Sequence, residues 1–562
     1  MAASLAIVMA LCSWRMDTDL QANDSPSRNG GRLRTILDYI SSGWETLTRS
    51  TTSCTGVADA KLTQSSTLYV PADFPIPTEL SRALQECSVS AKRLPFVIRK
   101  PGEVKANGID PPGLLYLEKP YVVPGGRFNE MYGWDSYFII RGLLRSGKID
   151  MAQDMVENFF FEIEHYGGVL NANRTYYLTR SQPPFLSSMV IALYEAEQAR
   201  GKANRVWLAK AYRYIGQDYE MWTHDPHLAG STGLSRYYDF GDGPVPEGLH
   251  DEIDYYHDVL GYFVRTNGKS PYVVESDTAD SLPHPEYSLE LCDDDRSASN
   301  LKCDLMKYVA LSSEYYKGDR SMRESGFDIT FRFGPYGADT PHYAPVCLNS
   351  LLYKTEIDME KISMWLEDKR AAQKWRERAQ RRRHLVRGML WNQKRGLFFD
   401  YEFKEKNLSS YEYASTFYPL WVGAATAAQA RLVENNLSRF EQKGGLAMST
   451  KETGVQWDFP YGWAPIQLIA VEGLRRYGYN ADADRISCKF LSMVLANFER
   501  DGNIREKYNV VTDTSKVQIT EGYRSNIVGF GWTNGVFLEL LSQLPEHSRD
   551  QLDGRPASGL VP

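Results

Sequence analysis

The chain has 562 residues, of which 43% are hydrophobic and 24% are charged, and this composition excludes disordered, collagen-like and coiled-coil proteins. Lys and Arg total 64 against 71 Asp and Glu, and a formal net charge of −7 lacks the basic footprint of a nucleic-acid-binding protein. Aromatic residues make up 12% of the chain, which suits either a large wet cleft or a large core.

The seven cysteines predict neither a disulfide framework nor a zinc site, because their number is odd and no Cys-x-x-Cys pair or Cys/His cluster occurs. Mostly reduced thiols favour a cytoplasmic location. No apolar run approaches the roughly 20 residues that cross a bilayer, so no membrane partner is expected. The apolar stretch Ala2–Cys12 has no basic residue before it and no small-residue cleavage site, which disfavours a signal peptide and leaves a secreted or periplasmic protein as the alternative.

Two polar segments bound the body of the chain. Gln21–Gly31 predicts a flexible N-terminal segment over residues 1–31, and the residues from Pro545 onward predict a flexible C-terminal tail over residues 545–562. Between them no comparable linker occurs, so we expect residues 32–544 to form a single domain and the protein to be a monomer.

Helical periodicity dominates this body. In Arg205–Trp222, the apolar residues Leu208, Ala211 and Ile215 fall on one helical face together with Trp222. We therefore predict an all-α fold, a toroid of paired helices whose connecting loops build a site at one end. The other predicted helices cover Asp150–His165, Pro184–Arg200, Cys303–Tyr316, Asn349–Glu367, Trp375–Trp391, Tyr418–Phe440, Pro465–Tyr477, Asp482–Phe498 and Gly535–Leu544, and Gly396–Tyr401 is a predicted strand.

Motifs for nucleotide binding and for covalent nucleophiles are absent from the sequence. There is no Walker-type loop, no Gly-x-Gly-x-x-Gly, no Gly-x-Ser-x-Gly and no His-Glu-x-x-His. The nearest histidine pair, His224 and His227, flanks a proline in a predicted loop and does not predict a metal site. The remaining candidates for chemistry are carboxylates set among aromatic residues, Arg and Asn.

The first such segment is Pro124–Tyr137. Its two glycines allow a tight turn that presents Arg127 beside Phe128 and Trp134, and Asp135 follows directly. An aromatic platform and a hydroxyl acceptor therefore come as a unit. The alternative is a helix entry with Trp134 in the core and Asp135 as a cap.

The second segment, Asn171–Phe185, crowds Asn171, Arg174 and Arg180 into a short stretch with two tyrosines. This density of donors suits the binding of several hydroxyl groups at once. The alternative is that Arg174 and Arg180 are structural ion-pair partners.

The segment Gly454–Gln467 carries Trp457 and Trp463 with Pro and Gly, a composition typical of a rigid aromatic loop. The apolar face of a sugar ring stacks well on such a surface. Core packing is the alternative, and we expect Trp463 in particular to be a core residue.

Two carboxylates are candidates for acid–base work. Asp328 follows Gly326 and an aromatic residue, and desolvation in an apolar niche would favour the protonated form that a general acid needs. Glu506 lies between Arg505 and Lys507, which would keep it ionised as a base that activates water. The alternatives are a solvated Asp after a helix C-cap and an ordinary surface Glu.

Pro124–Tyr137 (PGGRFNEMYGWDSY) and Gln456–Pro465 (QWDFPYGWAP) resemble the two signature segments of the trehalase family of glycoside hydrolases. The resemblance covers roughly Leu37 to Leu544. Shorter matches occur in the family's order, and they are LNANRTYYLTRSQPPF, GLSRY, RESGFD, LNSLLYK, REKYN and GFGWTNG. The resemblance implies that residues 32–544 are an (α/α)6 toroid with extended active-site loops. It also implies inverting hydrolysis of the disaccharide α,α-trehalose into two glucoses, without metal or organic cofactor.

The resemblance assigns Asp328 as the general acid and Glu506 as the general base. Val245 stands where the family usually has Arg, and Arg323 could supply that charge; Phe327 stands where Trp or His is usual, and residues 512–526 replace a Gly-rich lid. Two alternatives are a related glycosidase acting on another α-glucoside and an inactive sugar-binding homologue. The substrate-binding residues predicted from motifs and resemblance together are Arg127, Phe128, Trp134, Asp135, Asn171, Arg180, Glu247, Arg323, Gly326 and Trp457.

Overall fold

The computed structural model describes residues 31–58, 66–104, 108–246, 251–266, 270–292, 306–520 and 525–554. The predicted flexible segment 1–31 therefore lies almost wholly outside the described residues. The helices of the described part are α1 Arg32–Thr46, α2 Cys54–Val57, α3 Thr78–Glu86, α4 Asp135–Arg145, α5 Ile149–Tyr166, α6 Leu186–Ala199, α7 Arg205–Trp222, α8 Asp251–Arg265, α9 Ser313–Glu324, α10 Val346–Trp365, α11 Lys369–Met389, α12 Tyr418–Trp421, α13 Ala427–Asn435, α14 Ala464–Arg476, α15 Asn480–Asp501, α16 Gly531–Gln543 and α17 Glu546–Leu552.

Six of these helices form a closed inner ring. Each contacts the next in the order α4, α6, α10, α12, α14 and α16, and α16 packs back against α4. The outer layer includes α1, α5, α7, α11 and α15, which contact inner helices or each other, and α13, which contacts the strand Leu397–Phe398. The predicted all-α fold, an (α/α)6 toroid, is therefore confirmed.

Burial explains which helices lie inside. Almost every residue of the inner helix α14 is buried, whereas the outer helix α11 buries only five of its side chains and exposes most of its Lys and Arg. The ring closes at a glycine contact between α4 and α16. A Cβ at Gly535 would lie 2.1 Å from the Phe138 carbonyl oxygen, so only glycine permits this approach.

Short strands connect the helices and form two- and three-stranded sheets. The strands of the described part are β1 Thr48–Arg49, β2 Thr67–Val70, β3 Ser90–Arg93, β4 Leu114–Leu115, β5 Tyr121–Val122, β6 Val273–Ser276, β7 Leu289–Cys292, β8 Met306–Leu311, β9 Tyr343–Ala344, β10 Trp391–Asn392, β11 Leu397–Phe398, β12 Tyr401–Glu402, β13 Asn407–Leu408, β14 Glu441–Gln442, β15 Gly445–Leu446, β16 Tyr461–Trp463 and β17 Lys507–Asn509. Their order in the sheets is β1–β5, β3–β2–β4, β6–β8–β7, β13–β12–β9, β10–β11, β14–β15 and β16–β17.

Two helix predictions are wrong. The predicted helix Cys303–Tyr316 contains strand β8, which pairs with β6 and β7 on its two sides, and α9 begins only at Ser313. The predicted helix Tyr418–Phe440 is divided into α12 and α13, because Gly423 between them has a φ of +76°.

The prediction of a loose C-terminal tail is wrong for the residues that the structure describes. Residues 546–552 form α17, whose Leu552 is buried in the main hydrophobic cluster. The carboxylate of Asp553 accepts a hydrogen bond from the Leu33 N–H at 2.8 Å, at the start of α1. The C-terminal residues therefore close the outer layer against the first helix.

The cysteines form a disulfide that the sequence did not predict. Cys54 in α2 and Cys87, the residue after α3, are joined by a disulfide across 33 positions of sequence. The pairing is brought about by the packing of α2 against α3 and not by a spacing motif. Within the described part of the chain, every helix is too short or too polar to cross a lipid bilayer.

Loss of this disulfide should destabilise the chain. Replacing Cys54 and Cys87 by Ala removes a cross-link that spans 33 residues, which the loop-entropy model values at about 3–4 kcal/mol. We expect a lower Tm in differential scanning fluorimetry for the variant and an equal drop for the parent chain in dithiothreitol. Dithiothreitol should leave the variant unchanged, and a parent Tm that does not respond to the reductant would contradict the disulfide.

Candidate active site

A cavity of about 220 Å³ opens where the inner helices begin. Its walls come from the segments that precede α4, α6, α10, α14 and α16. Of the twelve predicted site residues, Glu247 lies outside the described residues, and the structure brings the other eleven to this one cavity: Arg127, Phe128, Trp134, Asp135, Asn171, Arg180, Arg323, Gly326, Asp328, Trp457 and Glu506.

Asp328 reaches the cavity from the segment that follows α9. Gly326 takes a φ of +74°, and a Cβ there would lie 3.0 Å from the Trp134 indole, so glycine lets the ring lie against the backbone. Phe327 turns inward and is fully buried against Trp134, with ring centroids 5.5 Å apart. Because Phe327 faces the core, the neighbouring Asp328 faces the cavity, half-buried.

Glu506 is held on the cavity wall by its own backbone. Its N–H donates to the Ile527 carbonyl at 3.0 Å, and its carbonyl accepts from the Trp532 indole N–H at 3.2 Å. The carboxylate Oε2 accepts a hydrogen bond from Lys507 Nζ at 3.0 Å, and the Glu506 side chain is only 16% exposed. The alternative of an ordinary surface Glu is therefore wrong.

Asp135 is the first residue of α4, is buried and lines the same cavity as Asp328 and Glu506. Burial raises its pKa well above the ordinary value for Asp, and the negative charges of Glu506 and Asp328 raise it further. Asp135 therefore favours the neutral acid, which donates a hydrogen bond as well as accepting one.

Tryptophans form the floor of the cavity. The Trp457 and Trp463 rings stack with centroids 3.8 Å apart and an interplanar angle of 5°, and Trp134 lies 5.8 Å from Trp457. Trp532 meets Trp463 edge to face at 5.6 Å. Trp463 is buried as expected of a core residue, but it also lines the cavity. The result is a rigid apolar surface against which a sugar ring can lie.

Polar and charged side chains also line the cavity. Arg127 is exposed and its guanidinium lies over the Phe128 ring, 5.2 Å from the centroid. Arg180 is buried, and its guanidinium lies 4.9 Å from the Tyr177 centroid. The Asn171 N–H donates to the Arg180 carbonyl at 2.8 Å, which ties the two donors together. A ligand would thus meet charged donors at fixed positions.

Arg323 brings a third guanidinium to the cavity. Its Nε lies 3.2 Å from both carboxylate oxygens of Asp319, and its guanidinium lies over the Tyr255 ring at 5.5 Å. Val245 is buried in the same hydrophobic cluster as Tyr255 and does not line the cavity. This placement agrees with Arg323 supplying the charge that Val245 lacks.

Two other buried polar groups near the site have structural partners. Arg174 forms a buried ion pair with Glu130, so the ion-pair alternative is correct for this residue. His227 is buried with its Nε2 3.2 Å from Glu324. Within the described ranges, no group of three or more His, Cys, Asp or Glu side chains is arranged to hold a metal ion.

Twelve further residues line the cavity that the sequence did not single out as site residues. All lie in or near the motifs described above. The sequence therefore points to these residues through their position in a motif and not through their residue type. They are Pro124, Tyr132, Tyr176, Tyr177, Gln182, Gln456, Trp463, Lys507, Ser525, Ile527, Phe530 and Trp532.

Comparison with known proteins identifies the family and relatives of this chain. A model of the trehalase family matches residues 33–545. The cytosolic neutral trehalase of Saccharomyces cerevisiae is 37% identical over 534 residues, which cover 86% of this chain and 67% of that protein. The cytosolic neutral trehalase of Emericella nidulans is 35% identical over 77% of this chain and 59% of that protein.

The fold is shared with a solved structure. Neutral trehalase Nth1 from Saccharomyces cerevisiae superposes with a TM-score of 0.76 at 33% identity, over 93% of this chain and 96% of that one. The chain spans 56% to 67% of the length of five curated fungal relatives, the two above included.

Replacing Asp135 by Asn should stabilise the protein as the pH rises. A carboxyl whose pKa is raised on folding stabilises the fold below about pH 4 and loses that contribution as the pH rises through the folded-state pKa. Asn keeps the shape and cannot ionise. We expect the Tm difference between variant and parent to grow from near zero at pH 4 to about 1–3 °C at pH 8, measured by scanning fluorimetry, while activity falls.

The matched control is Glu162→Gln. Glu162 is fully buried in α5, accepts a hydrogen bond from the Leu170 N–H at 3.0 Å, and has a pKa raised well above its ordinary value by burial. It does not line the cavity, so the same pH-dependent gain should appear with activity retained. A Tm for Asp135→Asn that lies below the parent at every pH would contradict the assignment.

Proposed function

Because the chain belongs to the trehalase family, we propose that it is an α,α-trehalase, an inverting glycoside hydrolase that cleaves α,α-trehalose into two glucose molecules. The observation that carries the proposal is that two carboxylates from distant segments, Asp328 and Glu506, line one sugar-sized cavity together with Asp135. The names of the relatives, neutral trehalases, support the substrate.

Each of the two carboxyl groups carries out one proton transfer of the reaction. Protonated Asp328 gives its proton to the glycosidic oxygen as the bond from that oxygen to the anomeric carbon breaks. Ionised Glu506 takes a proton from a water molecule, whose oxygen bonds to the anomeric carbon from the opposite face. One C–O bond forms as another breaks, and the configuration at the attacked carbon inverts. Such a water needs carboxyl groups about 6.5–9.5 Å apart.

The two groups have different neighbours. Glu506 receives a hydrogen bond from the buried ammonium group of Lys507, so its charge is paired. Asp328 adjoins the buried aromatic residue Phe327 and lines the same cavity. The mechanism gives the first group the role of base and the second that of acid.

Recognition of the substrate follows from its chemistry. A nonreducing disaccharide presents hydroxyl groups and no charge, and charge-assisted hydrogen bonds from Arg127, Arg180 and Arg323 suit it. The tryptophan floor would take an apolar sugar face. No metal or organic cofactor enters these steps.

We also propose that residues 32–544, with α17 packed against them, act as one catalytic domain, in a monomeric and cytoplasmic protein. One hydrophobic cluster that runs from Ile36 to Leu552 supports the single domain, and the relatives' designation as cytosolic supports the location. The Cys54–Cys87 disulfide suits an oxidising compartment instead, so secretion is the alternative to test by fractionation.

A glucose-release assay over a panel of disaccharides tests the proposed activity. Glucose from trehalose alone is the expected result. Glucose from another α-linked disaccharide and not from trehalose would establish the related glycosidase instead. Measurable trehalose binding without any glucose release would establish an inactive sugar-binding protein.

Asp328→Asn and Glu506→Gln should each lower kcat for trehalose by about 10³-fold, because each removes one proton-transfer step while keeping the size of the side chain. The measurement is steady-state glucose release, with trehalose binding followed by calorimetry. Binding should change little. Parent-like kcat in either variant would overturn the role of that residue.

A further inference from the structure

A chain of hydrogen bonds joins the carboxylate of Glu506 to the backbone of Asp328 along the cavity wall. Starting at Glu506, it passes to Lys507 Nζ, then through the side-chain amide of Gln456, and ends at the main-chain carbonyl of Asp328. The sequence predicts Lys507 as a cationic neighbour of Glu506 and predicts no role for Gln456, and both residues line the cavity.

Lys507 is fixed by three acceptors. Its Nζ lies 3.0 Å from Glu506 Oε2, 2.7 Å from Gln456 Oε1 and 2.9 Å from the Ser525 carbonyl, so all three N–H donors have acceptors. The side chain is 1% exposed and its Nζ lies 5.0 Å from the Trp463 centroid. An ammonium group held by three acceptors cannot move with Glu506 without breaking its other two hydrogen bonds.

Gln456 has one possible orientation. Its Oε1 accepts from Lys507, which has only donors, and its Nε2 donates to the Asp328 carbonyl, which only accepts. A flipped amide would lose both bonds. Gln456 is 4% exposed, and its own carbonyl accepts from the Trp463 indole N–H at 2.9 Å. The amide therefore transmits the position of Lys507 to the backbone that carries Asp328.

We propose that Lys507 and Gln456 are positioning residues that set the separation of the general acid from the general base. This inference rests on the proposed function, because it gives Asp328 and Glu506 those roles. The bond from Lys507 to the Ser525 carbonyl also anchors one end of the 512–526 segment to the same point. A lysine that served only as a counter-ion to Glu506 would not need Gln456.

Gln456→Met tests the proposal, because it removes both amide hydrogen bonds and keeps the length of the side chain. We expect kcat for trehalose to fall about 100-fold with KM within threefold, since a displacement of about 1 Å between reacting groups costs that much. Hydrolysis of glucosyl fluoride, whose leaving group needs no proton, should fall far less. A purely structural defect would lower the turnover of both substrates alike.

The matched control is Gln467→Met. Gln467 is a buried glutamine in α14 whose amide makes two bonds to the Leu446 backbone, at 2.8 and 2.7 Å, outside the cavity. The Gln467→Met variant should lose about as much stability as Gln456→Met and should keep kcat within twofold of the parent. If Gln456→Met does not fold, Gln456→Glu is measured in the same way, because it retains the bond to Lys507 and replaces the donor to the Asp328 carbonyl by an acceptor.

The outcomes separate this inference from the proposed function. A parent chain that releases no glucose from trehalose overturns the proposed function and this inference with it. A parent that is active, with Gln456 variants whose kcat matches that of Gln467→Met, overturns the positioning role alone. Equal losses on trehalose and glucosyl fluoride also overturn it.

Discussion

Three carboxyl groups line one cavity, and accommodating them together is the constraint on which the rest of the site depends. A buried carboxylate is costly unless it is neutral or paired. Burial favours the neutral form of Asp135, and Glu506 is bound to the ammonium of Lys507. Asp328, beside the buried ring of Phe327, is the group to which the proposed mechanism gives the transferable proton.

The scaffold matters because this balance requires fixed positions. The segments that carry the site precede helices of a closed ring, so each is anchored at one end to a buried helix. Backbone contacts add to this, such as the Glu506 N–H to the Ile527 carbonyl. Loops held in this way carry chemistry without the mobility that loops usually have.

Much of the architecture and most of the site could be predicted from the sequence, because outer helices show apolar periodicity and site residues cluster in contiguous motifs. Helix α9 shows what periodicity cannot find. It buries four charged side chains, Asp319, Arg320, Arg323 and Glu324. Asp319 and Arg323 pair with each other one helical turn apart, whereas Arg320 pairs with Asp239 and Glu324 with His227, which are partners that only the fold supplies. The Cys54–Cys87 pairing and the contacts of Gln456 were missed for the same reason, because their partners are distant in sequence.

The most direct test of two-carboxylate inversion is anomer-resolved proton NMR of the first products formed from trehalose. One glucose leaves with its α configuration and the other is released by attack of water on the opposite face, as the β anomer. The account predicts equal amounts of α- and β-glucose before mutarotation. Products that begin as α-glucose alone would contradict it.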